Sequence, residues 1–365
     1  MNKRITSTGE VLGTVDYMAP EQFESLKKID ARADLYSVGA MLYHLVVGRP
    51  PFKGRSSLAV LEQHRDDPFA LWVSFPDPHE PWVCPQSYAD MFSADRIDVP
   101  PWRRDEFDDP ATVPERNRVL NRILGFAEDA PEDVFGVQGV YYGMIKYLDD
   151  GLAQITAALD RLGLRENTIV VYCSDHGDFM GEHGMQCKGG VFYDCLTRVP
   201  LVVSWPGQIT CGVREDSPVN LIDIVPTLLR LQGLDVPRSM HGAPLPSATD
   251  SPSRQVTFSE YGAGGPAFTM ADLEQMEQPY GRRALMKSLQ WREAEGRRKM
   301  ARTRKWKYVH DPMGDLDELY DLKSDPWELM NVAHLVEHTE VIAEMRLHLA
   351  DWSINTEDAH AVPMP

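Results

Sequence analysis

The chain has 365 residues, 43% of them hydrophobic and 25% charged, a composition with room for two or three packed domains and not that of a disordered tail. Its formal charge of −18 argues against a surface built to hold nucleic acid or anionic lipid. No apolar run reaches the roughly 18 residues of a membrane span, and the opening MNKRITSTGE lacks the apolar stretch of a secretory signal, so export is unsupported and the compartment stays open.

Residues 1–69 carry nine Lys and Arg and nine Asp and Glu, so the whole negative charge falls after residue 69. That shift marks a domain boundary without a Gly/Ser/Pro-rich connector. Upstream, DLYSVGAMLYHLVVG (residues 34–48) spreads apolar groups around most of a helix, the pattern of a core element, and Gly48 and Pro50 end it. Downstream, Ala70 to Phe75 reads as a core strand that opens into SFPDPHEPW, where Pro78 and Pro81 stiffen the backbone on either side of His79. Tyr142, Ile145, Leu148, Leu152, Ile155, Leu159 and Leu162 recur in steps of three and four, which predicts a long amphipathic helix closed by Gly163. Ile169 to Cys173 then reads as a strand covered on both faces, forming with the helix a helix-to-parallel-strand unit. Val199 to Ser204 reads as a further core strand and Leu221 to Leu231 as a covering helix kinked at Pro226. The alternation predicts an α/β layer with helices on both faces.

Polar residues past the carboxyl ends of such strands collect at one edge and make the site. The strand at 169–173 is followed by SDHGDFMGEHGMQCKGG, which gathers Asp175, His176, Asp178, Glu182, His183 and Lys188 among glycines that permit close backbone approach to a ligand. A carboxylate with an imidazole suits a divalent cation, and an ammonium suits a tetrahedral anion. A solvated polar loop is the alternative. His79 follows a second strand and should open on the same edge; a structural histidine is its alternative. The cysteines, at 84, 173, 187, 195 and 211, are odd in number and lack CxxC spacing, so they read as mostly free thiols.

From about residue 70 onward the motifs FPDPHEPW, IVVYCSDHGDFMGEHG, CKGG with Tyr193–Asp194, RVPLVVSWPG, NLIDIVPTLL, RKWKYVHD and ELYDLKSDPWELMNVA stand in the order of a sulfatase of the alkaline-phosphatase superfamily, which the chain resembles in its central and C-terminal parts. The resemblance implies an α/β fold: an alkaline-phosphatase-like mixed sheet flanked by helices, incomplete at its N-terminal side. A small C-terminal antiparallel sheet plus helix would include Tyr308, Glu318 to Asp325 and Asn331 in structural roles. It implies Asp175 and His176 as metal ligands for a divalent metal, Ca²⁺ first and Mg²⁺ or Mn²⁺ otherwise. It also implies His79 and Lys188 as catalytic contacts to the sulfate group, with His183 beside them in substrate binding. Its substrates would be small-molecule or carbohydrate sulfate esters. Relatives of this kind are often exported, and a bacterial origin fits.

The family's formylglycine nucleophile arises in a C/S-x-P-S-R segment, and neither that segment nor the paired-aspartate metal motif is present in these residues. Cys84 in VCPQSYADM has the wrong order and no arginine, and reads as a loop cysteine. The chain alone is therefore not expected to turn over.

Gly13 to Gln22, GTVDYMAPEQ, with DARADLYSVGAMLYHLVVGRPPFKG after it, resembles the end of the activation segment and the following helices of a bacterial-type serine/threonine protein kinase. This implies a helical C-lobe remnant in which Asp34 anchors the catalytic loop, Thr14 lies in the substrate-binding turn, and Thr6, Ser7 or Thr8 are phosphosites. The Gly-rich loop, strand lysine, HRD and DFG that precede this point in a kinase are absent from the chain, so neither ATP binding nor kinase activity is expected.

The division is thus 1–69 as a kinase C-lobe fragment, 70–255 as a partial sulfatase-like core and 256–365 as its C-terminal subdomain. The alternatives to sulfate-ester hydrolysis are a phosphonate or phosphate ester hydrolase of the same superfamily and a non-catalytic fusion or scaffold protein.

Overall fold

The computed structural model describes residues 57–93, 97–98, 100–125, 131–262, 268–276, 297–312 and 314–356. The helix expected at 34–48, with Asp34, Thr14 and the candidate phosphosites Thr6, Ser7 and Thr8, lies outside the described residues. In chain order the strands and longer helices among the described residues are α1 (Ser57–Gln63), α2 (Glu115–Leu124), α3 (Pro131–Arg161), β1 (Val170–Cys173), β2 (Phe179–Met180), β3 (Gln186–Cys187), β4 (Leu201–Ser204), α4 (Ile224–Leu231), β5 (Thr257–Tyr261), β6 (Arg298–Arg302), β7 (Trp306–His310), β8 (Glu318–Asp321) and α5 (Thr339–Thr356). The chain divides into two compact units, residues 1–76 with 148–166 and residues 77–147 with 167–365.

In the first unit Val60 and Leu61 of α1 are buried, as are Leu148, Ala158 and Leu159 of α3, and Arg161 reaches Glu62 at 2.7 Å. Gly163, at φ 68°, turns the chain out of α3 while the Leu164 amide bonds back to the Leu159 carbonyl, the closure that a left-handed glycine makes possible. The run at 70–75 does not form the expected strand. It carries no ladder hydrogen bonds, and Trp72 is 81% exposed. Apolar side chains in sequence specify a strand only where a neighbouring backbone offers partners.

The second unit holds the cleft. β1 pairs with β4, but antiparallel, with Tyr172 opposite Val202, and its side chains are half-buried or exposed rather than covered on both faces. The expected parallel unit is thereby corrected: among the described residues no parallel neighbour joins β1. The helix at 221–231 is a 3₁₀ turn running into α4, and Pro226 sits in the first turn of α4. Its missing N–H would have found no intrahelical acceptor there, so the proline starts the helix instead of kinking it.

The C-terminal sheet is antiparallel throughout, in the order β5-β6-β7-β8. One face packs Ala301, Tyr308 and Leu319 under Met345 and Leu349 of α5, and the other packs Met300 and Val309 on Phe192. A neighbouring core of Phe107, Leu120, Phe179, Met185, Val191, Tyr193, Leu196 and Tyr320 anchors the loop from residue 174 to residue 190.

Candidate functional site

A cleft of about 1620 Å³ in the second unit is lined by His79, Asp175, His176 and Lys188, four of the five side chains singled out from the sequence. They arrive from two segments. The SDHG turn carries Asp175 and His176 out of β1, and β3 ends at Cys187, one residue before Lys188. His79 comes from the proline-flanked loop.

At the rim, Asp175 accepts the His176 amide at 2.9 Å and lies 3.7 Å from the His176 ring at Nε2, while His176 Nδ1 donates to the Gly177 carbonyl at 3.0 Å. Nε2 is thus left as the ring's ligand atom, beside a carboxylate that is 85% exposed. No third His, Cys, Asp or Glu among the described residues joins them. A hard cation such as Ca²⁺ takes about six to eight oxygens, so this pair does not fit a complete site and amounts to part of one.

Lys188 is an ammonium held by Asp178 at 3.6 Å, and Asp178 in turn accepts the Tyr141 hydroxyl at 3.3 Å. Burial, with Asp178 adding to it, pushes the Tyr141 phenol well up, so Tyr141 stays a proton donor and fixes the carboxylate. At His79, Nδ1 donates to the Glu80 carbonyl at 2.6 Å, which leaves Nε2 to meet a ligand. Cys187 donates its thiol to Glu80 Oε2 at 3.2 Å, joining the two segments.

His183 is not part of the cleft. Its side chain is buried, Nδ1 donates to Glu106 in a short contact, and the ring stacks on Tyr193 at 3.8 Å between centroids. With its backbone at φ 56°, this side chain sits in the core and not among the cleft-lining residues. The glycines also serve packing. A Cβ on Gly177 would lie 1.9 Å from the Cys195 carbonyl oxygen and one on Gly190 2.4 Å from the Tyr261 ring, so here they admit neighbouring protein, where the sequence suggested a ligand. Cys84 packs on α3, with Sγ 3.7 Å from the Val140 carbonyl, and burial raises its thiol above the ordinary value, the opposite of an activated nucleophile.

Sequence reasoning gave Asp178 no role and did not single out Glu80, Tyr141 or Cys187. The Cys-Lys adjacency was visible, but nothing in the spacing tied residue 187 to residue 80. Two further lining residues, Asp194 and Arg302, belong to a largely buried network: Arg302 clasps Asp194 at 3.0 and 2.7 Å, and Lys307, behind the lining, reaches Asp194 and Glu328 at 2.6 Å each. Burial alone would raise the Asp194 carboxyl, yet Lys307 and Arg302 hold it well below the usual carboxylate range.

Residues 55–234 match the family model for Sulfatase, and residues 2–93 match the one for Protein kinase domain. The uncharacterized sulfatase YidJ of Escherichia coli strain K12 is 28% identical over 295 residues, 80% of this chain and 52% of that protein. The choline-sulfatase of Rhizobium meliloti strain 1021 is 27% identical over 320 residues, 84% of this chain and 56% of that protein. This chain spans about half the length of the curated relatives it matches. Among solved structures, the phosphonate monoester hydrolase of Agrobacterium radiobacter superposes with a TM-score of 0.65 at 27% identity, covering 84% of this chain and 62% of that one.

Proposed function

We propose, from a chain whose residues 55–234 are a sulfatase-family region, that its cleft binds the anionic end of a sulfate ester and serves the hydrolysis of that ester in the full catalytic assembly. The observation that carries the reading is that His79, Lys188, Asp175 and His176, from two segments of the chain, all line one cleft. Lys188 supplies a fixed positive charge to the sulfate oxygens. His79, with Nδ1 committed to a carbonyl, presents a proton from Nε2 once its ring is charged. As the S–O bond breaks, negative charge grows on the departing oxygen, and the proposed role of both groups is to balance it. Asp175 and His176 would be this chain's share of the ligands to a divalent cation, whose chemistry is to polarise the same sulfate oxygens.

The phosphonate monoester hydrolase likeness favours a second reading, a phosphonate or phosphate ester in the same place. Both anions are tetrahedral, and the wall described here offers each of them the same donors.

The test is calorimetric titration of the chain with phenyl sulfate and with phenyl phosphonate. Saturable binding of phenyl sulfate, weakened about tenfold or more by Lys188→Ala and by His79→Ala, is the expected result. Binding unaffected by either substitution overturns the reading, and a clear preference for the phosphonate selects the second one. This chain alone is expected not to hydrolyse an aryl sulfate with Ca²⁺, Mg²⁺ or Mn²⁺ added. Metal-dependent turnover abolished by Asp175→Ala would refute that expectation.

A further inference from the structure

We propose that Cys187 is a positioning residue: its thiol fixes Glu80, and through Glu80 the ring of His79, in register with Lys188. The inference rests on the reading of the cleft as an anion site.

Burial, then the hydrogen bond to Glu80, pushes the Cys187 thiol up to about 12, so at neutral pH the sulfur carries its hydrogen and can donate. The acceptor is Glu80 Oε2, 3.2 Å away and 107 residues distant in sequence. Glu80 uses a different atom, its backbone carbonyl, to accept from His79 Nδ1 at 2.6 Å. A carbonyl has no proton to give, so this contact sets the Nδ1–H tautomer of the neutral ring and leaves Nε2 for the cleft.

The other end of the relay is equally constrained. Cys187 closes the β2–β3 ladder opposite Phe179, which is fully buried, and its own backbone sits at φ 66°. The residue that follows is Lys188. One thiol therefore links the loop bearing the imidazole to the strand end that launches the ammonium, at the wall where both face the cleft.

The test uses the whole chain, with Cys187→Ala, Cys187→Ser and Glu80→Ala. Alanine keeps a Cβ at the same positive φ, so backbone strain does not change, and serine keeps a donor. The readout is the long-range proton–nitrogen spectrum of the His79 ring, which reports the tautomer, together with titration by inorganic sulfate. With the ring neutral, Cys187→Ala is expected to mix the His79 tautomers; with the ring protonated, so that Nε2–H can donate, it is expected to weaken sulfate about fivefold. Cys187→Ser is expected to restore both, and Cys187→Ala with Glu80→Ala to do no more than either alone.

A His79 spectrum unchanged in Cys187→Ala overturns the proposal, as does additivity in the double variant. If the unsubstituted chain fails to bind sulfate, the anion-site reading falls, and the ring spectrum alone still decides whether Cys187 positions His79.

Discussion

At the scale of single residues, burial and partners separate side chains that look alike in sequence. His176 and His183 stand seven positions apart in one loop, yet one is exposed at the rim of the cleft and the other is sealed between Phe179, Tyr193 and Glu106. A buried carboxylate that loses its only described hydrogen-bond partner is costly, because neither water nor a counter-charge replaces it. His183→Ala is therefore expected to lower stability by about 3–5 kcal/mol in urea unfolding, with sulfate affinity held within about twofold. Lost affinity with stability intact would return His183 to the substrate. Composition placed the right residue types in this loop. Which of them turn inward depends on backbone at positive φ, and alternation cannot show that.

At the scale of elements, local pattern was readable and pairing was not. The helix through residues 142–162 was legible because a stripe at 3.6-residue spacing needs only the helix itself to make sense. Its phase was less so: Tyr142 and Ile145 are exposed, and Met144 and Gln138 take their places inside. The run at 70–75 shows the converse case, since strands require a second backbone that the sequence does not name. The C-terminal sheet was found by its motifs, and its polar side chains carry their own pH signature. Asp317 accepts from the Tyr308 hydroxyl at 2.5 Å, His310 at 2.9 Å and Arg346 at 2.6 Å. Burial alone would raise this carboxyl, but those donors hold it well below its ordinary 3.8. A depressed carboxyl contributes stability in full above its unfolded value, and that contribution fades as pH falls toward the folded one. Asp317→Asn is thus expected to cost about 1–3 kcal/mol at pH 7, with the gap from the unsubstituted chain closing as pH drops below 4. Chemical denaturation at a series of pH values measures it, and a gap that stays constant down to pH 2 would remove Asp317 from the account.

At the scale of the whole molecule, the second unit is bound across long sequence distances by charges rather than by apolar contact alone. Lys307 on β7 is fully buried against Asp194 and Glu328. Arg116 on α2 reaches Asp311 at 2.8 Å and also Glu318, and Asn331 donates to the Thr112 carbonyl at 2.9 Å. Such pairs add little net stability, since desolvation offsets their attraction, but separating them strands ions in the interior. The C-terminal sheet consequently has no inexpensive way to open by itself. The subdomain limit expected at residue 256 would then mark a change of architecture without marking a unit that unfolds independently. Native-state hydrogen exchange is expected to show the amides of β6 and β7 and those of residues 191–196 opening with one common free energy and one common dependence on denaturant. Lys307→Met should lower that shared value for both groups together, because it leaves Asp194 and Glu328 without their common cation. Exchange from the sheet at a distinctly lower free energy than from residues 191–196 would show that the ionic ties give way first, and would restore the sheet as a separate folding unit.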